Sequence, residues 1–118
     1  MKTRLDNDAI RRKLRDCLYW AKMRSANRPA LPKIDIDLPY LERLWRRQGG
    51  CCSLTGAPLQ ARGPFGATID RINPARGYTK RNVKLVGRSA NAAKHDMTPA
   101  EFRQFIITSY RWIKKAAL

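Results

Sequence analysis

The first part of the chain combines apolar and charged residues with the period of an amphipathic helix. Over residues 5–26, the apolar positions share one face and arginines and lysines occupy the other. The predicted core face consists of Ile10, Leu14, Cys17, Leu18 and Ala21. Asp6 or Asp8 is placed to cap the first turn, because a side-chain oxygen there accepts a free backbone N–H. The pattern therefore predicts a basic helix that is buried on one side.

A connector and a second helix are predicted next. The segment RPALPKIDID holds two prolines and lacks a helical period, so it is expected to run extended across the surface. Asp37 then starts a helix over 38–48 with Pro39 in its first turn, and Gly49 and Gly50 end it. The core-facing positions of this helix are Leu41, Leu44, Trp45 and Gln48.

Between residues 51 and 87 the apolar runs become short, and glycine and proline become frequent. This change is typical of strands and turns. The two predicted strands are ATIDRI and NVKLVG, and a long loop joins them. The segment RSANAAKHD, which follows the second strand, predicts a short helix.

The last predicted helix covers residues 98–118. Thr98 and Glu101 form a capping box around Pro99. The predicted core-facing positions are Phe102, Phe105, Ile106, Ser109 and Ile113. The element order of helix, helix, strand, strand, helix and helix predicts an α+β fold, in which a mostly helical small domain surrounds a short β-hairpin.

Length and charge restrict the functions that this fold can have. A chain of 118 residues forms one small domain and is too short for two separate cores. The 25 lysines and arginines against nine aspartates and glutamates give a formal charge of +16. So large an excess requires a polyanion as partner, and nucleic acid is favoured over an anionic membrane surface because basic clusters recur at 11–15, 43–47 and 79–84.

Location and redox state follow from two further features. Apolar runs long enough to span a membrane do not occur, and the N-terminal residues lack the apolar stretch of a signal peptide, so we expect a cytoplasmic protein without membrane contact. The three cysteines form no C-x-x-C pair. Their odd number suits a reducing compartment, and we expect free thiols and no structural zinc.

Four short motifs carry a family resemblance. They are Cys-x-x-Thr-Gly-x-Pro-Leu from Cys52, Asp-x-Ile-x-Pro from Asp70, Gly-Tyr-Thr-x-x-Asn-Val from Gly77 and Asn-x-x-Lys from Asn91. In this order and spacing, they resemble the HNH endonucleases of the ββα-metal, or His-Me finger, superfamily, especially small members from bacteriophage genomes. The resemblance implies an HNH-like finger over 51–97, after a basic helical part over 1–50 and before the last helix. The zinc-stabilised subtype is not the one resembled, because a second zinc-binding pair is missing.

The resemblance implies a metal-dependent DNA endonuclease or nickase, derived from a phage or prophage. It assigns Asp70, at the end of the first strand, and Asn91, in the short helix, as ligands of a divalent ion, Mg²⁺ or alternatively Mn²⁺. Such an ion can polarise a phosphodiester for hydrolysis, and oxygen ligands suit it. Two ligands make a weak site, so we expect the ion to bind together with the substrate. Asn82 is expected to tie the loop between the strands and so orient the residue after Asp70.

Arg71 departs from the family pattern, in which a histidine at this position acts as general base. Arginine stays protonated and cannot accept a proton. Three interpretations remain open. Arg71 clamps the scissile phosphate while the metal alone activates water; His95, four residues after Asn91 on the same helical face, supplies the base; or the site is inactive and the domain only binds DNA. Lys94 lies on a neighbouring part of that face, where it contacts phosphate or is merely solvated.

The expected partner is double-stranded DNA, and the sequence predicts no particular protein partner. The residues expected to contact DNA are Arg11, Arg12, Arg15, Arg46, Arg47, Arg76, Lys80, Arg81, Lys84, Arg88 and Lys94. A catalytically inactive HNH-fold DNA-binding protein is the main alternative. RNA binding in a ribonucleoprotein suits the charge but not the metal-site motifs.

Overall fold

A two-stranded antiparallel hairpin lies among four helices in the computed structural model, which describes residues 5–116. In chain order, the elements are α1 (Asn7–Ala26), α2 (Leu38–Arg47), β1 (Ala67–Arg71), β2 (Val83–Gly87), α3 (Arg88–Lys94) and α4 (Pro99–Ala116). The described chain is thus a small compact α+β domain with the predicted order of elements, and it is roughly half helical rather than mostly helical. The predicted N-terminal part and last helix also include residues 1–4 and 117–118, which lie outside the described residues.

The helix starts agree with the sequence pattern. Asp6, rather than Asp8, caps α1, because its carboxylate accepts a hydrogen bond from the Ala9 N–H at 2.8 Å. Asp37 caps α2 in the same way, through the Tyr40 N–H at 2.9 Å. Both caps satisfy donors that a helix leaves free in its first turn.

Apolar residues from the first two helices and the hairpin form one core. It includes Leu14 and Ala21 of α1, Leu41, Leu44 and Trp45 of α2, and Ile69, Val83 and Leu85 of the strands. The predicted faces of α1 and α2 are confirmed, except that Ile10 and Leu18 lie at the edge of this core. Burial of these apolar side chains holds the helices on the hairpin.

The side chain of Gln48, which follows α2, forms hydrogen bonds with the backbone of strand β2. The Gln48 side chain donates to the Leu85 carbonyl at 2.8 Å and accepts from the Leu85 N–H at 3.0 Å. It thereby satisfies both backbone groups of one β2 residue, much as a third strand would. An isolated two-stranded hairpin is marginally stable. Gln48 was predicted to face the core, and this pairing is the reason it does.

Two buried thiols fix the open end of the hairpin, where Ala67 pairs with Gly87. Cys17 Sγ donates to the Ala67 carbonyl at 3.3 Å, and Cys52 Sγ accepts from the Gly87 N–H at 3.2 Å. Burial raises the pKa of Cys17 to about 11, so its thiol stays neutral and able to donate at physiological pH.

The connector before α2 packs on the loop between the strands rather than only crossing the surface. Asp35 accepts from the Lys80 N–H at 2.8 Å, and Ile36 is buried. The contact is so close that a Cβ at Gly77 would lie 2.8 Å from the Pro32 carbonyl oxygen. Glycine is therefore required at position 77 by the connector.

The predicted core face of α4 is wrong beyond its first turn. Thr98 and Glu101 form the predicted capping box, and Phe102 is buried. Phe105, Ile106 and Ile113 are exposed, however, and Ser109 is only half-buried. The physical reason is that α4 packs against α3 and, among residues 5–116, against no other helix or strand.

Among residues 5–116, no helix combines the length and the apolar character needed to cross a membrane.

Replacing Gln48 by alanine is expected to lower the free energy of unfolding by about 1–3 kcal/mol, because the Leu85 N–H loses its partner in a partly buried place. Urea denaturation followed by far-UV circular dichroism measures the loss. Gln104→Ala is the matched control, since Gln104 is exposed on α4 and its side chain donates to the Thr108 hydroxyl of the same helix. Equal stability of the two variants would contradict the role given to Gln48.

Candidate active site

The end of β1 and one side of α3 border a cavity of about 290 Å³. Four residues that the sequence analysis singled out line it, namely Asp70, Arg71, Asn91 and His95. They come from three places in the chain, and the hairpin brings them together because α3 packs on both strands. The remaining lining includes Arg24 and Tyr78, which the sequence analysis did not single out.

Asp70 is buried at this cavity and forms an ion pair with Lys94. The Lys94 Nζ lies 3.2 Å from Asp70 Oδ1 and 3.3 Å from the Arg71 carbonyl oxygen. The Lys94 side chain has no exposed surface. The prediction that Lys94 contacts phosphate or is solvated is therefore wrong: its ammonium group lies inside the protein, where a buried charge requires a partner.

The ionisation of Asp70 reflects two opposing effects. Burial raises the pKa of Asp70 above the usual value of an aspartate, because it removes water from the charged form. The charge and hydrogen bond of Lys94, followed by the charge of Arg71, act in the opposite direction. Lys94 thus helps to keep a buried carboxylate ionised, which any role of Asp70 as a metal ligand requires.

The side chains present suit a divalent metal in chemical type but not in number or charge. Asp70 and Asn91 offer oxygen atoms, which Mg²⁺ prefers. Among residues 5–116, no group of three or more His, Cys, Asp or Glu side chains is placed to hold a metal ion. Lys94 already engages one Asp70 oxygen, and Arg71 lies beside it. A phosphate group would supply both the missing ligands and the missing negative charge.

Arg71 is a fixed cation at the cavity. Its Nη1 donates to the carbonyls of Pro74 at 3.0 Å and Arg76 at 3.3 Å. Its guanidinium carbon lies 5.3 Å from the centre of the Tyr78 ring, within the range of a cation–π contact. These contacts hold the guanidinium group in place while it stays half-buried at the cavity wall.

Asn82 is not part of the cavity lining but holds the loop that supports Arg71. Its side chain accepts from the Asn73 N–H at 2.9 Å and donates to the carbonyls of Asn73 at 3.1 Å and Gly77 at 2.8 Å. The loop so closed presents the Pro74 and Arg76 carbonyls to Arg71. Asn82 therefore reaches Arg71 only through the backbone of this loop.

His95 does not continue the helix of Asn91 as predicted. Helix α3 ends at Lys94, and His95 has a φ of 48°, which is rare outside glycine. The reversal directs the chain into α4, since the Met97 N–H donates to the Lys94 carbonyl at 2.8 Å. The imidazole is 81% exposed, and its Nδ1 contacts the Asp96 carboxylate. His95 nevertheless lines the same cavity as Asn91.

Arg24 approaches the cavity from the last turn of α1. Its Nε donates to the Tyr78 hydroxyl at 2.8 Å, and its guanidinium carbon lies 5.6 Å from the centre of the same ring. The guanidinium groups of both Arg24 and Arg71 thus lie against the Tyr78 ring. Tyr78 belongs to the Gly-Tyr-Thr motif, which was a signal for it. Arg24 has no such signal, because its position depends on how α1 packs on the hairpin.

The other cations predicted to contact DNA are spread over the surface. Arg12, Arg15, Arg46, Arg76, Arg81, Lys84 and Arg88 are exposed. Arg11 pairs with Glu42 at 3.5 Å, which reduces the charge it offers to a ligand. Arg47 and Lys80 lie over the Tyr40 ring, at 5.7 and 6.0 Å from its centre.

Comparison with known proteins found no match to a family model, to a curated protein or to a solved structure. The site is therefore interpreted from its own chemistry. That chemistry consists of one buried carboxylate, one amide and two arginines placed on a shared tyrosine around one cavity.

The buried ion pair should respond to substitution as one unit. Asp70→Asn and Lys94→Met are each expected to lower the free energy of unfolding by about 3–5 kcal/mol, because each leaves a buried charge without its partner. The double variant should lose clearly less than the sum of both. Urea denaturation of all four proteins measures this coupling.

The exposed pair of Arg11 and Glu42 provides the control. Glu42→Gln should change stability by no more than about 1 kcal/mol, since partly exposed ion pairs contribute little. Additive losses for Asp70 and Lys94 would show that the two charges do not depend on each other.

Proposed function

We propose that the protein is a metal-dependent DNA endonuclease or nickase of the HNH type, derived from a phage or prophage, with residues 51–97 as its ββα-metal finger. The observation that carries this proposal is the shared cavity of Asp70, Arg71, Asn91 and His95. Three of the four motifs that resemble the HNH family contribute the residues that border it or hold its loop.

The residues around the cavity divide the work of hydrolysis. Asp70 and Asn91 would hold a divalent ion, Mg²⁺ or Mn²⁺, which supplies polarisation of the phosphodiester when bound. Arg71 and Arg24 bind phosphate oxygens and stabilise the negative charge that develops on them. Lys94 keeps the Asp70 carboxylate ionised and oriented. Asn82 keeps the loop closed, so that Arg71 does not have to reorganise during the reaction.

DNA is the proposed substrate because the charge of the chain suits its backbone. The formal charge is +16, and 11 of the 25 lysines and arginines are exposed on α1, α2 and the loop between the strands. Contacts of this kind position a duplex without reading its sequence. They bring phosphates to the cavity, where Arg71 and Arg24 are already fixed.

A catalytically inactive DNA-binding protein of the same fold is the second candidate. The observation that favours it is the Asp70–Lys94 ion pair, in which Lys94 balances the charge of the one carboxylate among the described residues that line the cavity. Together with an arginine in place of the usual base, this pair gives a site that binds phosphate by charge alone. Cleavage assays separate the two candidates.

Purified protein with Mg²⁺ or Mn²⁺ should convert supercoiled plasmid to nicked or linear DNA, and a chelator should prevent the conversion. Asn91→Ala should reduce the rate by at least about 100-fold, because even residues that only orient a metal ligand cost 10–100-fold when lost. Binding of DNA should be retained, since no surface cation is removed. Asn91 serves this test better than Asp70, whose loss also leaves Lys94 unpaired in the interior.

Ser89→Ala is the matched control for Asn91→Ala, because Ser89 is an exposed residue of the same helix. It should cleave at the wild-type rate. Metal-dependent cleavage by Asn91→Ala at that rate would exclude this site. Wild-type protein that binds plasmid without cutting it would instead favour the inactive candidate.

Arg71→Ala is expected to reduce the cleavage rate by about 10²–10³-fold, since it removes a fixed donor to the developing charge. Arg111→Ala is the control, because Arg111 is an exposed arginine of α4 that does not line the cavity. Single-turnover kinetics on a short duplex measures both rates. Equal rates for wild type and Arg71→Ala would contradict the role of this arginine.

The same assay applied to His95→Gly identifies the proton acceptor. Glycine tolerates the positive φ of this position, so the imidazole is removed without added backbone strain. A loss of about 10²–10⁴-fold would assign the base to His95. A mild change would assign activation of water to the metal alone.

A further inference from the structure

A second cavity, of about 440 Å³, adjoins the first along α1. It lies between α1 and the loop that precedes β1, and Arg24 lines both cavities. We call these two cavities, which share Arg24, the groove. The charged and aromatic residues that line this second cavity are Lys13, Asp16, Trp20, Arg24, Arg62 and Arg88. Four cations against one carboxylate make it a place for an anion.

Trp20 gives this cavity a second kind of surface. Its indole is 57% exposed and packs edge-on against Tyr19, with ring centres 5.2 Å apart. It lies on the α1 face that the sequence pattern described only as basic. Cations that track a phosphate backbone, beside an exposed aromatic ring on which a base stacks, are what proteins use to bind single-stranded nucleic acid.

Backbone hydrogen bonds hold the opposite wall of the cavity, which is formed by the loop that precedes β1. The Gly66 N–H donates to the Gly63 carbonyl at 2.9 Å, which closes a tight turn directly after Arg62. A Cβ at Gly66 would lie 3.1 Å from the Gly63 oxygen, so the turn favours glycine there. The Arg88 N–H in turn donates to the Gly66 carbonyl at 2.8 Å. These bonds fix the backbone beside Arg62 and at Arg88, and both residues line the cavity.

We propose that this cavity binds an unpaired nucleotide of DNA, with its base on Trp20 and its phosphates on Lys13, Arg24, Arg62 and Arg88. Bases inside a duplex are stacked on each other and cannot reach an indole on a helix surface. The substrate is therefore DNA with a single-stranded segment next to the cleaved phosphate, such as a flap or a gap. The position relative to the cleaved phosphate rests on the proposed function, whereas the binding itself does not. A hydrophobic protein partner is disfavoured by the four cations.

Fluorescence anisotropy with labelled DNA tests this proposal in the presence of a chelator, so that cleavage plays no part. A duplex with a single-stranded flap is compared with a fully paired duplex of the same number of phosphates. Wild-type protein should bind the flap DNA more tightly. Trp20→Ala should weaken flap binding by about 5–150-fold, the effect of losing one stacked base, and should leave duplex binding nearly unchanged.

Trp112→Ala is the matched control, because Trp112 is also an exposed tryptophan, 66% accessible, and belongs to α4 rather than to the groove. It should bind both DNAs as the wild type does. Equal binding of flap DNA by Trp20→Ala and wild type would overturn the proposal. Tighter binding of single-stranded RNA than of the same DNA sequence would overturn the choice of DNA.

Tryptophan fluorescence supplies a second readout. In a Trp112→Phe background, Trp45 is buried and Trp20 is the accessible indole, so single-stranded DNA should quench the emission and paired DNA should not. The outcome is separable from cleavage. Loss of flap preference in Trp20→Ala without any nicking activity would support this groove and reject the endonuclease. Nicking of plasmid without a preference for flap DNA would support the endonuclease and reject this nucleotide-binding cavity.

Discussion

The buried ion pair between Asp70 and Lys94 is the interaction on which the candidate site depends. It joins the end of β1 to the end of α3, with the Lys94 side chain fully buried and 7% of the Asp70 side chain exposed at the cavity. Because Lys94 also donates to the Arg71 carbonyl, one ammonium group sets the positions of two successive residues of β1. A residue that could bind a metal is thus also part of the structural core. Function and stability cannot be varied independently at Asp70.

The charge around the cavity decides the order in which ligands can enter it. Lys94, Arg71 and Arg24 surround one carboxylate, so a divalent cation that enters alone meets more repulsion than attraction. A phosphate that enters alone meets more attraction than repulsion. If the proposed function holds, DNA would therefore bind first, and its phosphate would complete any metal site. This balance of charge fits both candidate functions, the nuclease and the inactive DNA-binding protein, since the two differ only in whether a metal follows the DNA.

Local signals in the sequence predicted much of the fold. Asp6, Asp37 and Thr98 cap helices where the pattern put them, because a cap depends on residues three positions away. Periodicity failed for α4, since it shows which residues share a face but not whether anything covers that face. The same limit hid the burial of Lys94 and the approach of Arg24. Both depend on packing between parts of the chain that are 24 or more residues apart.

Tyr78 contacts both Arg24 and Arg71 and so fixes the positions of these two arginines at the cavity. Arg71 is held by two loop carbonyls and Arg24 by the tyrosine hydroxyl, and both guanidinium groups lie over one ring. Neither arginine has to find its position when a phosphate arrives, so little of the binding energy is lost to ordering them. Arg24 also borders the cavity of Trp20, so both cavities share one cation whose position Tyr78 fixes. Helix α1 therefore contributes a residue to both cavities in addition to packing on the hairpin.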